Sequence, residues 1–276
     1  MKFIILLLAL ISCQISAQNS LKFDKRNVQC EDKWVAFQME KDSTYLFGFI
    51  YIDPSAGLTF HNEGSFKIDS KGVFIPTKVE KDTRIIARLE PSRIGLALIP
   101  EAKFKELEIV KVPEWLKNYK QDENSVAHLY HWGFLYNAWD ECEKALTYLE
   151  KAQKIDPNFN GLNVELAYSY NALGQYQKAV DLLSDSIKDH PEDCYFRKEL
   201  IYAHANLLQL AKAEEIFEEG LKVCTDNEMK CEMALNIAYQ YFLKKDKSNF
   251  LIWSKKSKQL APKYIKNLNA MEAELN

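Results

Sequence analysis

The spacing of hydrophobic positions changes along the chain, and the change divides it into two halves. Residues 19–109 contain short β-branched and aromatic runs separated by turn residues, which is typical of strands. From about Val126 onward the pattern instead repeats at a longer, fixed period, which is typical of stacked helical units. The sequence therefore predicts an α+β protein in two domains, the first mainly β and the second all-α.

Three pairs of apolar runs in the first half predict three β-hairpins, because each pair flanks a short polar turn. The paired runs are 34–39 with 44–52, 66–68 with 73–75, and 85–89 with 94–98. Residues 47–52 are apolar on both faces, so their strand is expected in the centre of the sheet. The prediction is a small, mainly antiparallel β domain over residues 18–109, closed by a short helix that begins near Pro100.

A linker and a short helix are predicted over residues 110–125. Pro113 suits the first turn of this helix, because the amide donors of a first turn have no partner within the helix and proline lacks that donor. The aromatic side chains of this helix, Trp115 and Tyr119, are expected to pack on the first unit of the helical half.

The second half repeats itself with a shift of 34 residues, which aligns segment 136–145 with segment 170–179 and Pro157 with Pro191. Prolines at this place end the second helix of a pair, because proline lacks the amide donor and clashes with the preceding turn. Small residues such as Ala145 stand where the two helices of a pair approach closely. The period therefore predicts helical hairpins whose apolar faces are covered by the next hairpin.

This pattern resembles the tetratricopeptide repeat family, whose units are helical hairpins with a period of 34 residues. Four units fit, namely 126–159, 160–193, 194–227 and 231–264. The third unit departs from the family pattern at Ile201, where a small residue is usual, and the fourth is displaced by three residues and has Phe250 in place of alanine. With a capping helix after Pro262, the helical domain is expected over residues 126–276.

The resemblance implies a concave groove, lined by the first helix of each hairpin, in which partner peptides bind. The candidate residues are an aromatic row at one place in every unit, two asparagines one turn on, and their neighbours: Phe134, Tyr168, Tyr202 and Tyr239; Asn137 and Asn171; Tyr130, His131, Tyr195 and Asn236. Aromatic side chains offer a large contact area at a low cost in conformational entropy. The alternative is that adjoining hairpins or the N-terminal domain bury the row.

Some members of the family grip the terminal carboxylate of a partner with a clamp of basic residues. Lys198 is the only clear cation expected on the groove face, beside Glu165, Glu199 and Glu232. A carboxylate clamp is therefore not predicted for this chain.

The first residues have the pattern of an export signal. An apolar run over residues 3–11 follows Lys2, and Ala17 ends a small-residue cleavage pattern. The run is about nine residues long, whereas a membrane helix needs about 20. We expect residues 1–17 to be a signal peptide, which makes the mature protein a periplasmic or secreted protein of the bacterial envelope. The alternative is a lipobox ending at Cys13, which would produce a membrane-anchored lipoprotein.

Cysteine positions in the repeats suggest a disulfide. Cys194 and Cys231 begin the first helices of the third and fourth units, and Cys224 ends the second helix of the third. Antiparallel packing brings these helix ends together, so Cys224 is expected to pair with Cys194 or with Cys231. The alternative is that they are buried free thiols.

The net charge of −3 is unevenly distributed, because the repeats are acidic and residues 244–266 are rich in lysine. We interpret the lysine run as a solvated helix face, with contact to an anionic partner as the alternative. The acidic repeats and the export signal both disfavour nucleic acid as a partner. Membrane association is expected only if Cys13 is lipidated.

No short catalytic, nucleotide-binding or metal-binding motif occurs in the sequence. His128 and His131 do not complete a metal site, and Asp53, His61 and Glu63 are interpreted as solvated loop residues. The sequence thus predicts an exported, non-catalytic scaffold without metal or cofactor that binds a protein or peptide. The alternatives are an envelope carbohydrate- or peptidoglycan-binding protein, because tyrosine faces also stack on sugars, and an enzyme with a site in the β domain that lacks a short motif.

Overall fold

The computed structural model of the protein describes residues 21–79, 84–90, 92 and 94–275. The expected signal peptide over residues 1–17 and the alternative lipidation at Cys13 lie outside these described residues. The chain forms two compact units that divide between Asp122 and Glu123. An antiparallel sheet in the first unit and helices in the second confirm the predicted α+β class.

The described strands of the first unit form one antiparallel sheet. They are β1 Lys33–Ala36, β2 Tyr45–Asp53, β3 Gly57–Ile68, β4 Phe74–Lys78, β5 Ile86–Arg88 and β6 Ala97–Leu98. Their order is β4-β3-β2-β1-β6, with β5 paired to β3. Residues 47–52 of β2 are buried and β2 is the middle strand of that order, which confirms its predicted central place. Short 3-10 helices cover Asn27–Cys30, Glu101–Lys103 and Glu114–Tyr119.

Two of the three predicted hairpins are confirmed, and the third is wrong. β1 pairs with β2, and β3 pairs with β4. The two runs predicted as the third hairpin separate, because β5 pairs with β3 and β6 pairs with β1. The 12 residues of β3 give it room for β4 along 64–68 and for β5 along 59–61. The pairing of a short apolar run thus depends on which edges the whole sheet leaves open.

The short helix Glu114–Tyr119 packs within the β unit. The ring centroid of Trp115 lies 5.0 Å from that of Tyr51 and 4.4 Å from that of His61. Tyr119 lies 4.7 Å from Tyr51. The expectation that Trp115 and Tyr119 pack on the first helical hairpin is therefore wrong. A sheet with an aromatic face needs a second layer to cover it, and this segment supplies part of that layer.

Nine helices make up the described part of the second unit. They are α1 Val126–Ala138, α2 Cys142–Ile155, α3 Leu162–Ala172, α4 Tyr176–Asp189, α5 Cys194–Asn206, α6 Leu210–Val223, α7 Asn227–Leu243, α8 Lys247–Leu260 and α9 Ile265–Glu274. The first eight pair as four consecutive hairpins, and the first helices of neighbouring hairpins contact one another. The last helix, α9, contacts α8, and its Leu268 is fully buried in the core of the helical unit. Among the described helices, none is both long and apolar enough to cross a membrane.

The hairpins close tightly where the repeat carries small residues. A Cβ atom on Gly133 would lie 2.4 Å from the side chain of Leu149, so a larger residue would force the two helices apart. Ala145 and Ala179, which occupy the same place in the second helices of the first two hairpins, are fully buried. The fourth hairpin instead buries Phe250, and its first helix has 17 residues where α1 has 13. The displaced register of that unit thus accompanies a larger side chain in its core.

Candidate binding groove

The first helices of the hairpins carry one aromatic ring each at the same place in the repeat. We call Phe134, Tyr168, Tyr202 and Tyr239 the aromatic row. Phe134, Tyr168 and Tyr239 keep 44%, 36% and 43% of their surface exposed. Tyr202 is half-buried beside Tyr176, with 6.2 Å between the ring centroids. The adjoining hairpins therefore leave much of the row accessible.

Two adjoining cavities lie along the aromatic row and define the candidate groove. The larger, of about 370 Å³, is lined by Tyr168, Asn171, Ala172, Lys198, Glu199, Tyr202, Glu232, Leu235, Asn236 and Tyr264. The smaller, of about 260 Å³, is lined by Phe134, Asn137, Ala138, Val164, Glu165, Tyr168, Tyr195, Lys198 and Glu199. Because they share Tyr168, Lys198 and Glu199, the two cavities form one elongated groove across α1, α3, α5 and α7.

The two asparagines named by the sequence line the groove but are engaged within the helical unit. The amide nitrogen of Asn137 donates to the backbone oxygen of Glu165 at 2.9 Å and to its carboxylate at 2.8 Å. Asn171 makes the same pair of bonds to Glu199, at 3.0 and 2.9 Å. Each asparagine is only 3% exposed. Their amide donors therefore join successive first helices and are not open to a partner.

The amide oxygens of these asparagines differ between the repeats. The Asn137 oxygen accepts a hydrogen bond of 2.6 Å from the hydroxyl of Ser169. One repeat later the equivalent residue is Ala203, which has no hydroxyl. The Oδ1 atom of Asn171 consequently has no hydrogen-bond partner among the described residues. The groove thus contains a buried acceptor that the helical unit itself leaves unsatisfied.

Glu165 and Glu199 form an acidic floor under the aromatic row. Burial raises the carboxyl pKa of both residues above its ordinary value, because each carboxylate loses hydration. The asparagine hydrogen bonds and the positive charge of Lys198 act in the opposite direction but do not cancel this effect. The Nζ atom of Lys198 lies 3.8 Å from a carboxylate oxygen of Glu199. Glu165 has no ion-pair partner within the part of the chain that the structure describes.

Glu232, at the far end of the groove, is better compensated. Burial raises its carboxyl pKa, but hydrogen bonds of 2.9 Å from Lys263 and from the hydroxyl of Tyr264 outweigh burial and lower the pKa overall. Lys198 also approaches it to 3.8 Å. Tyr264 belongs to the 3-10 helix Pro262–Tyr264, which follows the fourth hairpin. The repeat pattern gave no signal for this residue, because it follows the closing Pro262 of the fourth unit, where the pattern specifies no residue type.

The remaining candidate residues separate into two groups. Tyr195, which is 55% exposed, and Asn236 line the cavities. Tyr130 is half-buried against Phe159, with 5.2 Å between the rings, and His131 lies beside Trp132. Neither Tyr130 nor His131 lines the two groove cavities, and Tyr239 extends the row beyond them.

Metal sites are not evident in the described residues, which contain no cluster of three or more histidine, cysteine or acidic ligands. His128 stacks on Trp132 at 3.8 Å. His61 and Glu63 lie on β3 and are 7% and 8% exposed, so their interpretation as solvated loop residues is wrong. Trp115 covers the His61 ring, with 4.4 Å between the ring centroids, and Arg84 lies 3.1 Å from the Glu63 carboxylate.

A disulfide joins Cys194 at the start of α5 to Cys224 just after α6. Cys231 is a buried thiol whose sulfur lies 3.2 Å from the hydroxyl of Ser257. Of the two pairings that the sequence allowed, the structure therefore contains the one within the third hairpin.

The lysine run over residues 244–266 is partly neutralised within the helical unit. Lys258 pairs with Glu272 at 2.9 Å, Lys263 pairs with Glu232 at 2.9 Å, and Lys256 pairs with Glu218. These contacts agree with a charged helix face better than with a dedicated anion site.

The fold and the groove together define an α+β protein with a helical-repeat unit. No family model and no curated protein matches the chain. Among solved structures, the chain is similar to a tetratricopeptide repeat protein from Parabacteroides merdae, with 14% identity and a TM-score of 0.45. The match covers 62% of this chain and 62% of that one. A likeness at this level carries no conclusion about function.

Proposed function

We propose that this protein is an exported, non-catalytic interaction scaffold of the bacterial envelope that binds an extended peptide segment of a partner protein in its groove. The observation that carries this proposal is the continuity of the two cavities along a row of accessible aromatic rings. Each hairpin contributes one ring, so the surface is long and shallow. Such a surface suits an elongated ligand better than a small compact one.

Binding is favoured over catalysis by the way the groove carboxylates are held. Glu165 and Glu199 accept hydrogen bonds from asparagine amides, and no histidine, serine, threonine or cysteine lines the two cavities. A general base needs a proton donor or nucleophile within hydrogen-bond reach. The residues of the groove instead offer stacking faces and hydrogen-bond acceptors.

The envelope location rests on the export pattern of residues 1–17. The disulfide between Cys194 and Cys224 supports it, because disulfides persist in oxidising compartments outside the cytosol. Mass spectrometry of the N-terminus of protein purified from its native cells tests this part of the proposal. A new N-terminus at Gln18 indicates a soluble mature protein, a lipidated Cys13 indicates a lipoprotein, and an intact Met1 contradicts export.

Site-specific photo-crosslinking tests the groove. A photoreactive phenylalanine derivative is placed at Tyr168 or Tyr202, and as a matched control at Ile252, which is 53% exposed on α8. We expect discrete protein adducts in native cells from the groove positions and not from the control. Equal adducts from all three positions contradict the groove. Retention on isolated peptidoglycan without protein adducts would instead favour the carbohydrate-binding alternative.

A further inference from the structure

We infer that the groove selects a peptide segment with a lysine or arginine side chain whose cationic head lies at Glu165 and Glu199. The inference rests on the proposed function, because it names the chemistry of the partner that the same groove binds. Its occupant is a partner segment in which a cationic residue has apolar or aromatic neighbours.

Hydrogen-bonding capacity gives the first reason. The smaller cavity is lined by the carboxylates of Glu165 and Glu199, and the adjoining cavity is lined by Glu199 and Glu232. The amide donors of Asn137 and Asn171 are already engaged by those carboxylates. The floor therefore offers acceptors while its amide donors are occupied. A ligand that fits it must supply donors, as an ammonium or guanidinium group does.

Charge balance gives the second reason. Lys198 lies 3.8 Å from both Glu199 and Glu232, so its single charge is shared between two carboxylates. Lys263 forms an ion pair with Glu232 at the far end of the groove. The negative charge of Glu165 is compensated only in part by Lys198, which lies farther away, and it is repelled by the carboxylate of Glu199. The near end of the groove thus has one more carboxylate than its lysine neutralises, and an incoming cation removes that imbalance.

The aromatic row gives the third reason. Phe134 and Tyr168 of the row line the same cavity as Glu165 and Glu199, and the neighbouring Tyr195 adds a third ring. Lysine and arginine carry long aliphatic stems that pack on apolar surface while the charged head reaches a polar partner. Aromatic faces also attract such cations directly. A cationic side chain therefore matches both the walls and the floor of the cavity.

The burial of the carboxylates supports the same reading. A carboxylate whose pKa is raised by burial is held in its charged form at a cost to the stability of the fold. A bound cation would lower that pKa toward its ordinary value and recover the cost. Glutamine in place of either glutamate could accept the same asparagine hydrogen bonds without this cost. The fold therefore does not require the negative charge, and the charge remains available to a cationic ligand.

A display selection with the disulfide-intact mature chain provides the test. The probe is a randomised heptapeptide library, selected on wild-type protein and then measured by calorimetric titration. We expect enrichment of lysine or arginine in the selected peptides. Their affinity should fall about tenfold or more in Glu165→Gln/Glu199→Gln, because a charge-assisted hydrogen bond is replaced by a neutral one. Norleucine in place of the peptide lysine should cause a similar loss.

The matched control removes the same number of charges elsewhere. Glu215→Gln/Glu218→Gln breaks the exposed pairs of α6 with Lys212 and Lys256 and should change the affinity by less than about twofold. An equal loss in this variant would mean a general charge effect and would overturn the inference.

The outcomes separate this inference from the proposed function. Selected peptides that lose binding in Tyr168→Ala/Tyr202→Ala but lack cationic residues overturn the inference and leave peptide binding in the groove. Peptides that bind this aromatic variant as well as wild type overturn both, as does the failure to select any peptide. Self-association that is lost in Glu165→Gln/Glu199→Gln, seen by sedimentation, would identify a second copy as the occupant and overturn the partner assigned here.

Discussion

Glu63 in the β unit differs from Glu165 and Glu199 in the groove in how far neighbouring groups compensate its negative charge. In the β unit, Glu63 is 8% exposed and lies 3.1 Å from Arg84 and 3.3 Å from His61. Burial raises its pKa, but these partners outweigh burial and lower the pKa overall. In the groove, Glu165 and Glu199 have weaker compensation and a raised pKa. The comparison teaches that a compensated buried charge serves the fold, whereas an under-compensated one at an open groove is available to a ligand.

Aromatic side chains show the same contrast. Phe49 and Tyr51 of β2 have no exposed surface and pack against Trp115. Phe134 and Tyr168 of the aromatic row keep more than a third of their surface. The rings of the β unit should therefore contribute mainly to stability and those of the groove mainly to binding.

The largest expected effect is the loss of a core ring in the β unit. Phe49→Ala should lower the free energy of unfolding of that unit by about 3–5 kcal/mol, because it removes buried area and leaves a cavity. Hydrogen exchange by mass spectrometry, followed over β2 and β3, measures the change. Phe49→Leu keeps most of the volume and should lose less. Unchanged protection in Phe49→Ala would contradict a sealed aromatic core.

Reduction of the disulfide should act on the helical unit. Without the bond between Cys194 and Cys224, the free energy of unfolding of that unit should fall by about 2–4 kcal/mol, because the unfolded chain is no longer constrained. Urea unfolding with and without reductant measures this, with exchange over α5 and α6 as the local readout. Cys194→Ala/Cys224→Ala is the control and should be insensitive to reductant. A wild-type protein equally insensitive would contradict the bond.

Truncation within the aromatic row should have a smaller effect on stability. Tyr168→Ala should change the free energy of unfolding by less than about 1 kcal/mol, since the ring is already 36% exposed. Selected peptides should nevertheless bind it at least about tenfold more weakly, as expected for a central aromatic contact. Urea unfolding and calorimetric titration of one preparation give both numbers. A stability loss as large as that of Phe49→Ala would mean that the row is part of the core.

The smallest expected effect is the pH dependence of the groove carboxylates. Between the ordinary glutamate pKa of 4.5 and the raised pKa of Glu165 and Glu199, the folded protein holds protons that the unfolded chain has released. The stability of the helical unit should therefore fall as the pH rises through this window. Lys198 reduces the effect by favouring the charged forms.

Glu165→Gln/Glu199→Gln should flatten this dependence and be at least as stable as wild type at neutral pH. The difference in unfolding free energy between wild type and variant, measured by urea titration from about pH 4 to pH 7, tests the sign. Glu63→Gln should behave in the opposite way, because a lowered pKa contributes stability that is lost as the pH falls. A double glutamine variant that is less stable at neutral pH would mean that these carboxylates serve the fold.

Several elements could be predicted because their signal is local. Helical hairpins follow from a period that brings Gly133 and Ala145 to close approaches, and β2 follows from a run that is apolar on both faces. The aromatic row followed from reading one position in every repeat. Such features depend on the spacing of residues along the chain, which can be read from the sequence without a structure.

Other features needed atoms that are far apart in the chain. β5 and β6 took separate partners because the length of β3 left one edge free. Trp115 packs on the sheet because the aromatic face of the sheet needs a second layer. The amide donors of Asn137 and Asn171 are occupied because they form hydrogen bonds with Glu165 and Glu199 on the neighbouring helices.

The sequence by itself determined the two-part organisation, the hairpin period, the aromatic row and the acidic residues beside it. Tertiary structure alone decided which cysteines pair, which asparagine oxygen lacks a donor, and which buried carboxylates are compensated. The physical reason is that periodic burial follows from the local spacing of apolar residues. The energy of a buried charge depends instead on every group within a few ångströms, whatever its place in the chain.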